Sequence, residues 1–401
     1  MNADVDVIVV GAGIHGVGAA QAAAAAGHSV LLLEQSAVAA GSSSRSSKLI
    51  HGGLRYLETA QLHLVYESLR ERAILLRLAP QLVQLRRFYI PLYRHTRRRP
   101  WQLRVGLALY ALLASFGTGA HIGSVPRRDW GTLDGLDSTD LQHVFWYHDA
   151  QTDDRALTAA VLHSAQELGA QLCCPARCLG ATLLEHGVEV RWAGDAGEQR
   201  CRARVLINAA GPWAAHLAQR ITPPIAVPRL ECVQGTHIVL PDRIERGIYY
   251  VESPRDGRAV FVMPWREQLM VGTTETRFRG DPANVEPTAT DIHYLLGVLK
   301  HYFPRFRARS SADVVAAFAG LRVLPAGSGH AFHRSRETLL VTDRAHSPRL
   351  LSIYGGKLTT WRAVSQRVLA RVAPSLPRRR ALARTDQLAL SSAADFVHPS
   401  R

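Results

Sequence analysis

The sequence predicts a mixed α/β (α+β) protein, in which a discontinuous Rossmann-like dinucleotide-binding domain carries an antiparallel-sheet domain. Three observations lead there. A strand, a glycine turn, a helix and a second strand fill residues 6–34. Strand-then-glycine turns come back at residues 204–213 and 350–360. Between them, residues 235–274 alternate short apolar runs with turn residues, the pattern of a sheet. At 401 residues the chain is long enough for more than one packed core.

The opening unit is the most legible. Asp6-Val-Ile-Val-Val10 is an apolar run of strand length. Gly11-Ala-Gly13-Ile-His-Gly16 follows, then an Ala-rich helix closed by Gly27-His28, then Ser29-Val-Leu-Leu-Leu33 ending at Glu34. Gly11 permits a tight turn, Gly13 lets backbone approach a pyrophosphate, and Gly16 allows close helix–strand packing. The helix N-terminus offers free N–H donors and a positive dipole to phosphates. Glu34 can accept ribose hydroxyls and disfavours a 2′-phosphate, which argues against NADP. The motif alone leaves NAD and FAD both open. Residues 41–53, Gly-Ser-Ser-Ser-Arg-Ser-Ser-Lys-Leu-Ile-His-Gly-Gly, shift the balance to FAD. An NAD domain continues into another strand–helix unit, whereas a small polar loop suits a pyrophosphate and a flavin ring.

A helix is expected over 61–79, from the spacing of Leu62, Val65, Leu69, Ala73 and Leu76 before Pro80. Residues 81–145 read as an irregular, Arg-rich insertion around one apolar helix. A helix over Leu157–Leu168 closes at Gly169, and short strands follow near 171–174 and 188–192. Arg204–Asn208 is an apolar strand running into Ala209-Ala-Gly211-Pro-Trp213, a second place where backbone can touch the nucleotide. Gly235–Leu240 reads as a strand, and 258–265 with 268–274 as a hairpin around Arg266-Glu267, a natural pocket floor. Phe318–Arg322 and Leu350–Thr360 return to strand–helix turn chemistry, with Gly355-Gly356 at a helix start. The expected division is a nucleotide domain in three segments (1–60, 146–230 and 311–373), a helical insertion (61–145), a substrate sheet (231–310) and a loose basic tail (374–401).

The formal net charge is +15, but only 3 of the 48 basic residues are lysines. The excess therefore reflects an Arg- and Ala-rich composition and is no footprint of nucleic acid. Lys48 and Lys357, two of those three, fall inside motifs. The cysteines at 173, 174, 178, 201 and 232 form no C-x-x-C pair and read as structural thiols; no metal site is expected. The N-terminus enters a strand at once, so no signal peptide is read. Residues 105–125 lack Asp, Glu, Lys and Arg but are too polar at their end to span a bilayer. Arg94, Arg97, Arg98, Arg99, Trp101 and Arg104 precede them, which suits a helix lying on an anionic lipid surface. An ordinary core helix with a solvated arginine face is the alternative.

Eight motifs then carry a family resemblance. They are V-V-G-A-G-I-H-G (9–16), S-S-K-L-I-H-G-G-L-R-Y-L-E (46–58), N-A-A-G-P-W (208–213), Q-G-T-H-I-V-L-P (234–241), V-F-V-M-P-W (260–265), V-G-T-T-E (271–275), G-L-R-V-L-P (320–325) and G-G-K-L-T-T (355–360). Over about residues 5 to 372 the chain resembles the FAD-dependent sn-glycerol-3-phosphate dehydrogenases, of the D-amino-acid-oxidase-like fold. The resemblance implies oxidation of glycerol 3-phosphate to dihydroxyacetone phosphate, with electrons passed to a membrane quinone. It implies a cytoplasmic protein, peripheral on the cytoplasmic membrane face and compatible with a homodimer. Arg55, Arg322 and Arg334 would bind the substrate phosphate and hydroxyls, with Tyr56 and Thr359 beside them. His237, Lys357 and Arg322 would serve the reacting carbon. FAD would rest on Gly11, Gly13, Ile14, His15, Gly16, Glu34, Ser43, Ser44, Ser47, Lys48, Leu49, His51, Gly53, Cys178, Gly211, Gly356, Lys357, Leu358 and Thr359.

The chemistry agrees with these roles. A phosphomonoester carries nearly two negative charges, which the planar guanidinium fork matches. Hydride transfer from C2 requires loss of the hydroxyl proton, and a neutral His is a suitable base. Lys357 can stabilise a developing alkoxide or a reduced flavin. Which group takes the proton stays open. Arg45 interrupts a loop usually made of small residues, and Glu275 stands where Asp is common. The family usually continues into a further helical C-terminal domain, which a chain ending at Arg401 is expected to lack. Two other readings stand beside this one: an FAD oxidoreductase of another small hydroxy acid or amino acid, and a flavin-binding redox protein without small-molecule turnover.

Overall fold

The computed structural model describes residues 3–59, 61–114, 121–326 and 338–391, apart from the side chains of Arg55, Glu58 and Thr59. Two sheets organise these residues. In the first, Val5–Val10 pairs in parallel with Val30–Leu33 on one side and with the end of Gly197–Asn208 on the other. Gln171–Cys173 and Leu350–Tyr354 extend this parallel core. Successive residues of a strand point to opposite faces. Val7 and Val9 enter a core with the helices Ile14–Ala25, Asp154–Glu167 and Trp361–Val372, while Ile8 and Val10 enter one with the antiparallel strands Ala176–Leu184 and Gly187–Gly194. With both faces covered, the strand is apolar throughout. Small residues bring the first helix in close: a Cβ on Gly18 would lie 2.6 Å from the Trp361 ring.

The second sheet is built around Leu230–Leu240, antiparallel to Gln268–Gly272 and Thr276–Phe278 on one side and to Ala316–Pro325 on the other. It continues through Ala259–Trp265, Ile248–Glu252, Val83–Tyr93 and Leu141–Thr152 to Leu49–Ile50. The helix Ala289–Tyr302, started by Thr288 capping the Asp291 N–H, covers one face through Leu295, Val298 and Leu299. The helices Leu62–Leu78 and Pro100–Ala114 pack on the other, against Phe88, Ile90, Tyr147, Met263 and Met270.

Three expectations are corrected. Residues 81–145 are not an irregular insertion, because Val83–Tyr93 and the start of Leu141–Thr152 form a long antiparallel pair inside the second sheet. Exposed Arg86 and Arg87 interrupt the apolar pattern that buried Phe88, Ile90 and Leu92 carry, and the partner strand lies too far along the chain for a hairpin signal. Phe318–Arg322 is not a strand–helix turn. It runs inside Ala316–Pro325, paired with Leu230–Leu240, so this strand belongs to the sheet assigned to 231–310. Gly320 is there because a Cβ would come within 2.5 Å of the Arg45 carbonyl.

The tail expected to be loose is packed as far as residue 391. The N–H groups of Leu382 and Ala383 donate to the Ala25 carbonyl at 2.8 and 3.2 Å. Arg362 and Gln366 donate to the buried Thr385 hydroxyl at 3.3 and 2.8 Å, and Leu390 is buried. The segment satisfies a carbonyl at the C-terminal end of the first helix, where intrahelical donors run out. Its polar composition hid this, since the bonds to Ala25 are made by backbone. Residues 392–401 lie outside the described residues.

Candidate active site

The glycine turn builds a cradle of bare backbone. Gly11 adopts φ +101°, and a Cβ there would lie 2.7 Å from the Ala209 carbonyl. A Cβ on Gly16 would lie 1.8 Å from the Gly11 carbonyl. Both positions therefore admit only glycine. The Ile14 N–H, at the open end of the helix, donates to Ser43 Oγ at 2.9 Å. Glu34 accepts from the Ala12 N–H at 2.8 Å through Oε2 and from the Ser36 N–H at 3.0 Å through Oε1. Oε1 also accepts from the Ser36 hydroxyl at 3.3 Å, so Oε2 is the oxygen that keeps a lone pair for a ribose hydroxyl. Gly356, at φ +106°, presses on His15: a Cβ there would sit 2.1 Å from Nε2. His15 is part-buried with Nδ1 shielded from solvent and lacking a hydrogen-bond partner, and desolvation, then the Arg367 charge, lowers its pKa to about 4. Gly211 (φ +54°) has open space where a Cβ would point. Glycine-bared backbone at 11–16, 211 and 356 thus converges from three segments, beside a helix N-terminus and a ribose-accepting carboxylate. That donor set fits FAD.

The serine-rich turn bridges the two sheets. Ser42 Oγ donates to the Leu321 carbonyl at 2.7 Å. Ser46 and Lys48 both bind Asp154, while Ser47 Oγ lies 2.9 Å from His237 Nε2. From Ser47 a cleft of about 810 Å³, its open mouth included, runs along Leu49, His51, Gly53 and Tyr56. Phe88, Tyr147, Tyr250 and Phe261 form an aromatic wall, and Arg258, Thr273, Glu275 and Arg322 form the polar one. Arg322 Nη1 donates to Glu275 Oε1 at 2.9 Å, and Arg258 Nη1 donates to the Glu275 carbonyl at 2.8 Å. Lys357 Nζ sits 3.9 Å from the centroid of the Tyr56 ring, a cation over an aromatic face.

His237, expected beside the reacting carbon, is enclosed behind the cleft wall. It is 1% exposed, stacked on Phe318 at 5.0 Å, and shielded by Gly272, where a Cβ would lie 2.1 Å from its ring. It does not line the cleft; Ser47 does. Its Nδ1 has no hydrogen-bond partner, and its pKa is lowered to about 3, chiefly by burial and then by the charges of Arg322 and Lys48.

Other expected residues divide. Ser47, Leu49, His51, Gly53, Tyr56 and Arg322 share the cleft. Lys48 turns its ammonium inward to Asp154 at 2.6 Å. The Thr359 hydroxyl is tied to the backbone of His51, accepting from N–H at 3.1 Å and donating to the carbonyl at 3.3 Å. Ser44 Oγ bonds back to the Gly41 carbonyl, and Leu358 packs against the first core. Cys178 packs against the core between the first sheet and its antiparallel extension, and burial pushes its thiol up to about 11. The Arg55 side chain and Arg334 lie outside the described residues. Asp154, Arg258, Tyr250 and Phe318 went unassigned in the sequence. Asp153-Asp154 before an apolar helix is a visible cap signal, whereas nothing local marks the other three.

A family model described as "DAO: FAD dependent oxidoreductase" matches residues 6–362. The glycerol-3-phosphate dehydrogenase of Pseudomonas aeruginosa is 37% identical over 381 residues, covering 92% of this chain and 72% of that protein. The D-erythritol 1-phosphate dehydrogenase of Brucella abortus is 33% identical, over 93% of this chain and 74% of that protein. The structure of the glycerol-3-phosphate dehydrogenase from Bacillus halodurans complexed with FAD superposes with a TM-score of 0.74 at 25% identity, covering 98% of this chain and 68% of that one.

Proposed function

The chain belongs to the DAO family of FAD-dependent oxidoreductases, and from that footing we propose that it oxidises sn-glycerol 3-phosphate to dihydroxyacetone phosphate. The observation that carries the reading is the polar wall of the cleft, where Arg322 and Arg258 stand beside Ser47, itself backed by His237. FAD, when bound, supplies the two-electron acceptor for the hydride leaving C2. Arg322 presents its guanidinium to the phosphate, while Arg258, bound to Asp256 through Nε and Nη2 and to the Glu275 carbonyl through Nη1, adds positive charge to the same wall. Lys357, held over Tyr56, offers its ammonium to the oxygen that becomes the carbonyl. Ser47 Oγ receives the alcohol proton as its own proton moves to Nε2 of His237. A His depressed to about 3 is neutral before this step. Burial is the main cause of that depression, and a dianionic phosphate on Arg322 offsets only the smaller share that the Arg322 charge adds. The aromatic wall of Phe88, Tyr147, Tyr250 and Phe261 keeps water from the reacting carbon.

A longer polyol phosphate is the second reading, favoured by the carboxylate of Glu275 in the cleft wall, which can accept an extra hydroxyl. Electrons then pass to a membrane quinone. Support comes from the helix Pro100–Ala114, whose Trp101, Val105 and Leu112 are 67%, 61% and 60% exposed along one stripe. Arg94, Arg99 and Arg104 are exposed beside it. Its buried side packs Tyr110 on Tyr147, a wall residue of the cleft. Such a helix lies in a lipid surface rather than across it, and among the described residues no helix is long and apolar enough to cross a membrane.

Anaerobic addition of glycerol 3-phosphate to the FAD-loaded protein tests the reading. The flavin absorbance should bleach, and glycerol without phosphate should leave it unchanged. Bleaching by D-erythritol 1-phosphate alone would select the second reading, and no bleaching by either would end both.

A further inference from the structure

We infer that Asp154 is a positioning residue for the Ser47–His237 pair, a buried carboxylate that grips the residues on either side of Ser47 and so sets where its hydroxyl meets the imidazole. The inference rests on the reading that this pair takes the alcohol proton.

Asp154 is the first residue of its helix, whose start draws on its carboxylate only through the Arg155 N–H, 2.9 Å from Oδ1. Asp153 already caps it, with Oδ1 accepting from the N–H groups of Arg155 and Ala156 at 3.1 Å each. Asp154 is 0% exposed and turns toward the serine-rich turn instead. Its Oδ2 accepts from the Ser46 N–H at 3.0 Å and from the Ser46 hydroxyl at 2.6 Å. Its Oδ1 accepts from Lys48 Nζ at 2.6 Å. Ser46 and Lys48 flank Ser47 directly, so a displacement of either moves Ser47 Oγ away from His237 Nε2.

A second route reaches the same imidazole. The Lys48 ammonium lies over the Phe318 ring, 5.0 Å from its centroid. Phe318 stacks on His237 with ring planes 12° apart. Moving the ammonium therefore loosens both the hydroxyl partner and the stacking partner of one ring. Lys48 also holds φ +60°, a conformation disfavoured for a side chain of this size, and the ion pair opposes its relaxation. Burying an ion pair costs much of what its attraction returns, so this pair is poorly explained as a source of stability alone. Holding one arrangement of the turn explains it.

The test uses FAD-loaded protein with 15N-labelled histidines, the His237 signals being assigned by their loss in His237→Asn. Asp154→Asn should move the Nε2 resonance of His237 in the same direction as Ser47→Ala. It should also lower kcat with glycerol 3-phosphate by about tenfold or more, with KM within about threefold and flavin content unchanged, as misplacement of a proton acceptor does. Ser46→Ala removes one donor and leaves the ion pair; it should give a smaller shift of the same sign, and it decides the question if Asp154→Asn does not fold. Unshifted His237 resonances in these variants would overturn the inference, as would a loss of kcat without a shift. If glycerol 3-phosphate fails to bleach the wild-type flavin, the substrate reading fails, and the ring resonances still decide whether Asp154 sets the contact.

Discussion

Arg322 meets Glu275 inside the cleft, with Nη1 donating to Oε1 at 2.9 Å and the glutamate side chain 8% exposed. The guanidinium is therefore oriented before any substrate arrives, and part of its charge is already neutralised. A phosphate must compete with that carboxylate for Arg322. Glu275→Gln should let inorganic phosphate inhibit about three- to tenfold more tightly, the worth of one charge-assisted contact. The same variant should lower kcat, because the fork loses its orienting partner. An unchanged or weaker inhibition constant would show that Glu275 does not restrain the anion.

Two desolvated imidazoles make stability pH-dependent. His237 and His15 fall to about 3 and about 4 in the folded protein, from an ordinary 6.5. Between those values the unfolded chain binds more protons than the folded one, so stability falls as pH drops from about 6.5 toward about 4. Above that window these groups contribute no slope. Each histidine adds up to about 1.4 kcal/mol per pH unit. Urea midpoints of the FAD-loaded protein between pH 7.5 and 5 should fall, and His15→Asn should flatten the fall. Equal slopes in the two proteins would contradict the assignment of His15.

The cradle admits only glycine where the first helix begins. In Gly16→Ala the new Cβ would sit 1.8 Å from the Gly11 carbonyl, so helix and turn must part. Purified Gly16→Ala should carry little flavin, read as the absorbance ratio of flavin to protein. Gly106→Ala meets nothing within 4 Å and should carry the wild-type amount. Full flavin content in Gly16→Ala would show that the turn is not the cradle.

The exposed stripe on Pro100–Ala114 predicts lipid affinity separable from chemistry. Val105→Glu with Leu112→Glu should reduce co-sedimentation with vesicles of anionic lipid about tenfold or more, since each carboxylate opposes both burial and the surface charge. Flavin bleaching by glycerol 3-phosphate should stay at the wild-type rate. Unaltered vesicle binding would remove this helix from the membrane contact.

Legibility in the sequence followed the range of each signal. The opening unit reads almost to the residue, and the helix expected over 61–79 is found at Leu62–Leu78, because apolar spacing and glycine turns act within a few positions. The strands Val83–Tyr93 and Ala316–Pro325 were not legible. Their register is set by partners far along the chain, and exposed arginines blur the alternation of the first. The tail to residue 391 was hidden for another reason, since backbone bonds to Ala25 leave no mark in composition.

The sequence by itself determined the nucleotide cradle: Gly11, Gly16, the helix behind them and Glu34 form it from one short stretch, where local sterics leave few alternatives. It also named Ser47, Leu49, His51, Gly53, Tyr56 and Arg322 of the cleft, and left its aromatic wall and Arg258 unnamed. Only the tertiary structure decided which way they face. Ser47 meets His237 across 190 positions and Lys48 meets Asp154 across 106. These contacts put the histidine behind the wall and turn the lysine inward to a buried carboxylate. A side chain's direction is set by where its buried partner lies, and that depends on how the two sheets pack rather than on the residues beside it in the chain.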